Sequence, residues 1–152
     1  MNRIITTVGV LFAVLLLVMA CDPPPTDDEP AEESGEAEIS EDGPAGIDHG
    51  GIDSFSDDPA LIERGEELYS AKGCVACHQM DRDTPTGPAL GDVAEKRTAP
   101  WLARQIMHPD EMQKQDTTTQ EIQADFPAPM TNLGVTAEEA EAIIAYLAAE
   151  AN

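Results

Sequence analysis

The stretch Gly73-Cys74-Val75-Ala76-Cys77-His78 decides how this chain is read. Two thiols at Cys-x-x-Cys spacing, with an imidazole directly after the second, form the attachment signature of a c-type haem. Each thiol can form a thioether to one vinyl group of the porphyrin, and His78 then lies under the iron as its proximal ligand. Two other chemistries use such a pair. A structural zinc site needs four ligands, and the chain has no second cysteine pair, since its cysteines are Cys21, Cys74 and Cys77. A thioredoxin-like redox pair sits near a βαβ pattern, and no sustained strand periodicity occurs here. The odd cysteine count also argues against a disulfide scaffold.

Outward from the motif, the flanks read as helices. Asp58 is a helix cap and Pro59 fits the first turn. Leu61, Ile62, Gly65, Leu68 and Tyr69 follow at helical spacing, and Gly73 ends the run. Thr98 to Met107 reads as a second helix, with Trp101, Leu102, Gln105 and Ile106 on neighbouring faces; Pro109 disfavours helix at His108. Thr136 and Glu139 form a capping box ahead of the apolar stripe Ala140, Ile143, Ile144 and Leu147. Asp110 to Asp125 is polar, contains Thr117-Thr118-Thr119, and reads as a hydrophilic loop on the haem rim. The expectation is an all-α domain over residues 59–152, with three to five short helices wrapped around one covalent haem. Aromatic residues make up only 4% of the chain, so a buried porphyrin would supply apolar mass that the core lacks.

The N-terminus has the order of an export signal. Arg3 precedes an apolar run from Ile4 to Val18, and Ala20 is a small residue before Cys21. Residues 1–20 therefore read as a signal peptide. A spanning anchor prefers roughly 20 apolar residues and basic flanks. Val18-Met19-Ala20-Cys21 resembles the lipobox of bacterial lipoproteins, in which Cys21 would be lipidated and become the first residue. Acyl chains would tether the protein to a membrane at about 0.8 kcal/mol per buried CH₂. Asp22 resembles the signal that retains some lipoproteins at the inner membrane. An uncleaved signal anchor, or an ordinary signal peptide followed by a stray cysteine, are the alternatives. Residues 21–58 contain Pro23-Pro24-Pro25, many Asp and Glu, and no Lys or Arg. Such composition reads as a disordered acidic tether, spanning on the order of 35 Å on average. His49 within it reads as a solvated linker residue.

The formal net charge of −22 argues against a nucleic-acid partner, because phosphates would be repelled. The acidity fits solubility, life in a saline medium, or steering towards a basic patch on a redox protein.

A second axial ligand has six candidates: Met80, Met107, Met112, Met130, His49 and His108. Met80 is too close to His78 to reach the opposite haem face. Met107 reads as core and His108 as a surface residue at a helix end. Met112, in a polar run, is the runner-up. Met130 ends Phe126-Pro127-Ala128-Pro129-Met130, where two prolines stiffen an extended loop directly before the last helix. Met130 is the ligand of choice. A soft thioether favours Fe(II) and raises the potential, and filling both axial positions leaves no open site for a substrate.

Residues 59–152 resemble a class I monohaem cytochrome c of the small bacterial type. The resemblance is carried by Leu68-Tyr69, Cys74-Val75-Ala76-Cys77-His78, Gly87-Pro88-Ala89-Leu90, Pro129-Met130 and Ala145-Tyr146-Leu147. It implies that the Pro88 carbonyl accepts the Nδ1 proton of His78. It also implies that Gly65 meets Tyr146 where the first and last helices cross, and that Trp101 and Arg97 lie near the haem propionates. Thr131-Asn132 stands where many relatives have a proline, and Asn132 is a candidate donor to the methionine sulfur. The implied activity is one-electron transfer between respiratory complexes, with no substrate turnover. The implied place is the outer face of the bacterial cytoplasmic membrane, periplasmic in a Gram-negative cell. The partners would be a redox donor and a redox acceptor, with no small-molecule substrate. Two rival readings are a haem subunit of a respiratory oxidase or nitrogen-oxide reductase, and an open-iron sensor or catalyst.

Overall fold

The computed structural model describes residues 40–151. The expected signal peptide, Cys21 and the expected tether up to residue 39 lie outside the described residues. Six α-helices and one 3-10 turn follow: α1 Pro59–Ala71, the turn Cys74–Ala76, α2 Val93–Lys96, α3 Ala99–Met107, α4 Pro109–Gln115, α5 Thr117–Asp125 and α6 Ala137–Glu150. The fold is all-α, with one helix more than the upper end of the sequence expectation.

Local signals set the helix ends. The Asp58 carboxylate accepts the Ala60 N–H at 2.9 Å, and Pro59 occupies the first turn of α1. Thr98 caps α3 by accepting the Trp101 N–H. In α6, Thr136 accepts the Glu139 N–H at 3.3 Å and the Glu139 carboxylate accepts the Thr136 N–H at 3.0 Å, which completes the capping box.

The first and last helices cross with their backbones almost touching. A Cβ on Gly65 would run into the carbonyl of Ala142 and lie 2.7 Å from Tyr146 Cβ, so only glycine fits. One turn further, the Tyr69 and Tyr146 rings pack with centroids 5.6 Å apart. At the end of α1, Lys72 Nζ pairs with Glu139 Oε2 at 2.7 Å. Leu68, Ile143, Ile144 and Leu147 from this pair join Trp101, Leu102 and Met107 of α3 and Met112 of α4 in one core.

Two segments depart from the sequence expectation. Residues 40–57 were expected to continue the tether, yet they lie packed on the helices as a strap. Ile47 and Ile52 are only 2% and 6% exposed. Arg104 of α3, itself buried, donates from Nε to the Ile47 carbonyl at 2.8 Å and from a terminal nitrogen to the Asp42 carbonyl. Thr98 donates to the Glu41 carbonyl. Two isoleucines and a forked guanidinium therefore offset the low apolar content that suggested disorder. The polar run 110–125 is likewise helical. Pro109 opens α4 at a position that needs no N–H. Asp116 then accepts the Thr119 N–H at 2.7 Å and starts α5. Among the described residues, no helix is long and apolar enough to cross a membrane.

Two outcomes follow from this packing. Ile47→Ala should destabilise the protein by about 2–4 kcal/mol, read from denaturant unfolding; an effect below about 0.5 kcal/mol would detach the strap from the core. The Lys72 side chain, and then the Thr136 N–H, hold the Glu139 carboxyl below the usual glutamate range. A carboxyl depressed in the folded state adds stability above its unfolded value, about 4.3, and loses it as pH falls through the lower folded value. Glu139→Gln should thus lower Tm at neutral pH, with the gap to the parent closing on acidification below that range. A gap that stays constant with pH would assign the loss to packing alone.

Candidate haem-attachment site

Helix α1 delivers the chain to Gly73, which turns it at φ 82° into the Cys74–Ala76 turn. The N–H groups of Cys77 and His78 both donate to the Cys74 carbonyl, at 3.1 and 2.9 Å. One tight turn thus projects two thiols and an imidazole. Cys74 is half-buried and Cys77 exposed, and both are free thiols. Burial, more than any neighbour, pushes the Cys74 thiol up.

His78 is held at several points. Its Nδ1 lies 2.9 Å from the Pro88 carbonyl oxygen. A carbonyl only accepts, so Nδ1 carries the proton and the Nε2 lone pair is left free to bind a metal. Gly87 makes room for the ring: a Cβ there would fall 2.7 Å from His78 Cε1. The Tyr69 hydroxyl donates to the His78 carbonyl at 3.0 Å. Burial, helped by Cys74 and Tyr146, pushes the Tyr69 pKa up to about 12, so that donor stays protonated. The loop back from His78 to Pro88 is braced by Thr84 donating to the Cys77 carbonyl at 2.6 Å and by Asp83 accepting the Ala89 N–H at 2.8 Å.

This donor set fits a covalently attached haem. Two unpaired thiols emerge from the turn that carries an imidazole with Nε2 open, and a missing Cβ cradles that ring. Among the described residues, no group of three or more His, Cys, Asp or Glu is gathered to hold an ion, so the zinc alternative lacks its remaining ligands.

Met130 follows the Pro127–Pro129 loop and is half-buried. Its sulfur accepts a hydrogen bond from Gln105 Nε2 of α3 at 3.4 Å, and its carbonyl accepts one from Gln113 Nε2 of α4 at 3.2 Å. Asn132 is therefore not the donor to the sulfur. Its Oδ1 accepts the Gly134 N–H instead. The rival candidates have other employment. Met112 is fully buried and Met107 is 7% exposed, both in the core. Met80 packs against that core, and its carbonyl accepts the Gly91 N–H. His108 stands between α3 and α4, 3.8 Å from Glu111. His49 is not a solvated linker residue: its Nδ1 faces Arg104 at 3.3 Å and its Nε2 faces Asp53 at 3.1 Å.

Trp101 and Arg97 come together, with the guanidinium carbon 5.2 Å from the indole centroid. Both line an open groove of about 710 Å³ under the strap, with Glu41, Phe55 and Thr118. The Trp101 indole N–H is directed to Asp116 Oδ1 at 3.3 Å and so is already bonded within the protein. The residues that sequence reading missed are the polar ones behind Met130: Gln105, Gln113, Asp116 and Thr119. The available signal was the i, i+4 spacing of Trp101 and Gln105, which puts an amide beside a core aromatic.

Residues 62–149 match the Cytochrome c family, and the chain belongs to that family. Membership brings one haem c, covalently attached. Among its relatives, cytochrome c-551 of Pseudomonas denitrificans is 59% identical over 32 residues, covering 21% of this chain and 38% of that protein. Cytochrome c-551 of Stutzerimonas stutzeri is 50% identical over 38 residues, covering 25% and 36%. The matched stretches thus span little more than a third of these curated relatives. Among solved structures, the cytochrome c from Rhodothermus marinus superposes with a TM-score of 0.60 at 30% identity, over 63% of this chain and 81% of that one.

Proposed function

We propose that the protein is an exported, membrane-tethered electron carrier that accepts and passes on one electron at a time. The observation that carries this reading is Met130, held at its sulfur by α3 and at its carbonyl by α4. Cys74 and Cys77 would hold the haem through thioethers, and His78 and Met130 would ligate its iron. The bound haem supplies the Fe(III)/Fe(II) couple. Pro88 fixes the tautomer and orientation of His78, and Tyr69 fixes its backbone. The thioether favours Fe(II) and raises the potential. With His78 and Met130 both bound to the iron, no position would be left for a small-molecule substrate, and the protein would carry electrons and turn nothing over. Arg97 would offer its cation to a haem propionate. Trp101 packs beneath it and keeps its N–H on Asp116.

The donor and the acceptor are redox proteins of a respiratory chain, reached from the outer face of the cytoplasmic membrane. Cys21, as a lipidated N-terminus, is the tether. The acidic surface suits partners with a basic docking patch.

Met130→Ala should open the iron, so that the reduced protein binds carbon monoxide rapidly and its potential falls. Met112→Ala should leave the iron closed but destabilise the fold by about 2–5 kcal/mol, since it empties a fully buried site. The reverse pattern would move the ligand to Met112. Cys21→Ser should shift the protein to the soluble fraction on cell fractionation. Continued retention at the membrane would identify an uncleaved apolar segment as the anchor.

A further inference from the structure

Among the described residues, Asp116 and Arg104 are the buried charged side chains, at 4% and 6% exposure. Arg104 directs its guanidinium to the strap carbonyls and His49. Asp116 has no such opposite number: no described lysine, arginine or histidine forms an ion pair with it. Its carboxylate is surrounded by donors. Oδ1 receives the Thr119 backbone N–H at 2.7 Å, the Thr119 hydroxyl at 2.8 Å and the Trp101 indole N–H at 3.3 Å. An ionised carboxylate, which only accepts, suits that set. These bonds ease the burial of a charge without neutralising it. Nor does the start of α5 require the charge, since asparagine caps a helix as well as aspartate does.

The carboxylate lies close behind Met130. The Thr119 hydroxyl is also 2.8 Å from Gln105 Oε1, and the Gln105 side chain reaches to 3.4 Å from the Met130 sulfur. Two side chains therefore separate an uncompensated anion from the thioether. The medium between them is protein, in which a charge is felt much further than in water.

We infer that Asp116 is a buried counter-charge for the oxidised iron and holds the reduction potential down. This rests on the function proposed above, in which Met130 is a ligand of that iron. Fe(III) carries one more positive charge than Fe(II), so a fixed negative charge nearby stabilises the oxidised form. The same field opposes the electron that a redox donor delivers. Its sign is opposite to that of the thioether, which favours Fe(II). The carboxylate acts through space, so its effect requires no change at the sulfur itself.

The test uses the haem-loaded protein, with circular dichroism to check folding and equilibrium redox titration to read the potential. Asp116→Asn keeps an oxygen for the Thr119 and Trp101 N–H groups and removes the charge. It should raise the equilibrium constant for reduction by about tenfold, which is about 59 mV for one electron. The Met–Fe(III) charge-transfer band should stay in place, which separates a charge effect from a change of ligation. The rise should persist at high salt, because buried charges are screened little. Glu121→Gln removes the same formal charge from an exposed position on α5 and should change that constant less than about twofold. A merely structural role would alter melting and leave the potential where it was. If Met130→Ala opens the iron while folded Asp116→Asn leaves the potential unchanged, or moves it no more than Glu121→Gln does, the inference is overturned and the ligand reading stands. If Met130→Ala leaves the iron closed, the ligand reading fails, and this inference fails with it.

Discussion

The close crossing of α1 and α6 at Gly65 is the constraint on which the rest of the structure depends. A glycine lets the two backbones meet at Ala142, and the helices then run on in opposite roles. Helix α1 ends at Ala71 and feeds directly into the turn that carries both thiols and His78. Helix α6 begins at Ala137, a few residues after the Met130 loop. One contact between helices therefore fixes two segments 52 residues apart in sequence, His78 and Met130. The Lys72–Glu139 pair reinforces the same relation, because it joins the end of one helix to the start of the other. Short loops alone could not hold these two segments in a fixed relation.

The two proposed axial ligands are secured by different means. His78 is oriented by backbone: a proline carbonyl accepts its Nδ1 proton, and a glycine makes space for its ring. Met130 is oriented by side chains, the amides of Gln105 and Gln113. Backbone support tolerates most substitutions, whereas amide support changes whenever the side chain changes. The imidazole side is thus built for constancy. The Met130 side is the one that side-chain substitutions can move while the fold stays the same.

The parts of this structure that are legible in sequence are local. The Cys74–His78 motif, the Asp58-Pro59 start and the Thr136/Glu139 capping box each lie within six residues, so spacing alone specifies their geometry. The strap was hidden because its composition is that of a disordered chain. Its order comes from Arg104, more than 50 residues away, whose guanidinium satisfies two strap carbonyls. The helices at 109–125 had their start signals in Pro109 and Asp116, but a run of polar residues concealed them. The sulfur's donor was sought at Asn132, two residues along the chain. A flexible side chain that close is readily captured by a nearby backbone N–H, as Asn132 is by Gly134. The donor instead comes from α3, 25 residues earlier in the chain.

Arg104 limits how the sequence can drift. Its planar fork reaches the Ile47 carbonyl, the Asp42 carbonyl and the His49 ring at once, from a buried position. Lysine carries the same charge as a single point on a flexible stem, and it could serve only part of that set. Preserving charge at residue 104 is therefore no protection: exchange for lysine would leave strap carbonyls without donors and bring a strongly hydrated ammonium into the core. In a chain with 30 acidic and 8 basic residues, this cation is tolerant of neither loss nor like-charge replacement, and its shape matters more than its sign.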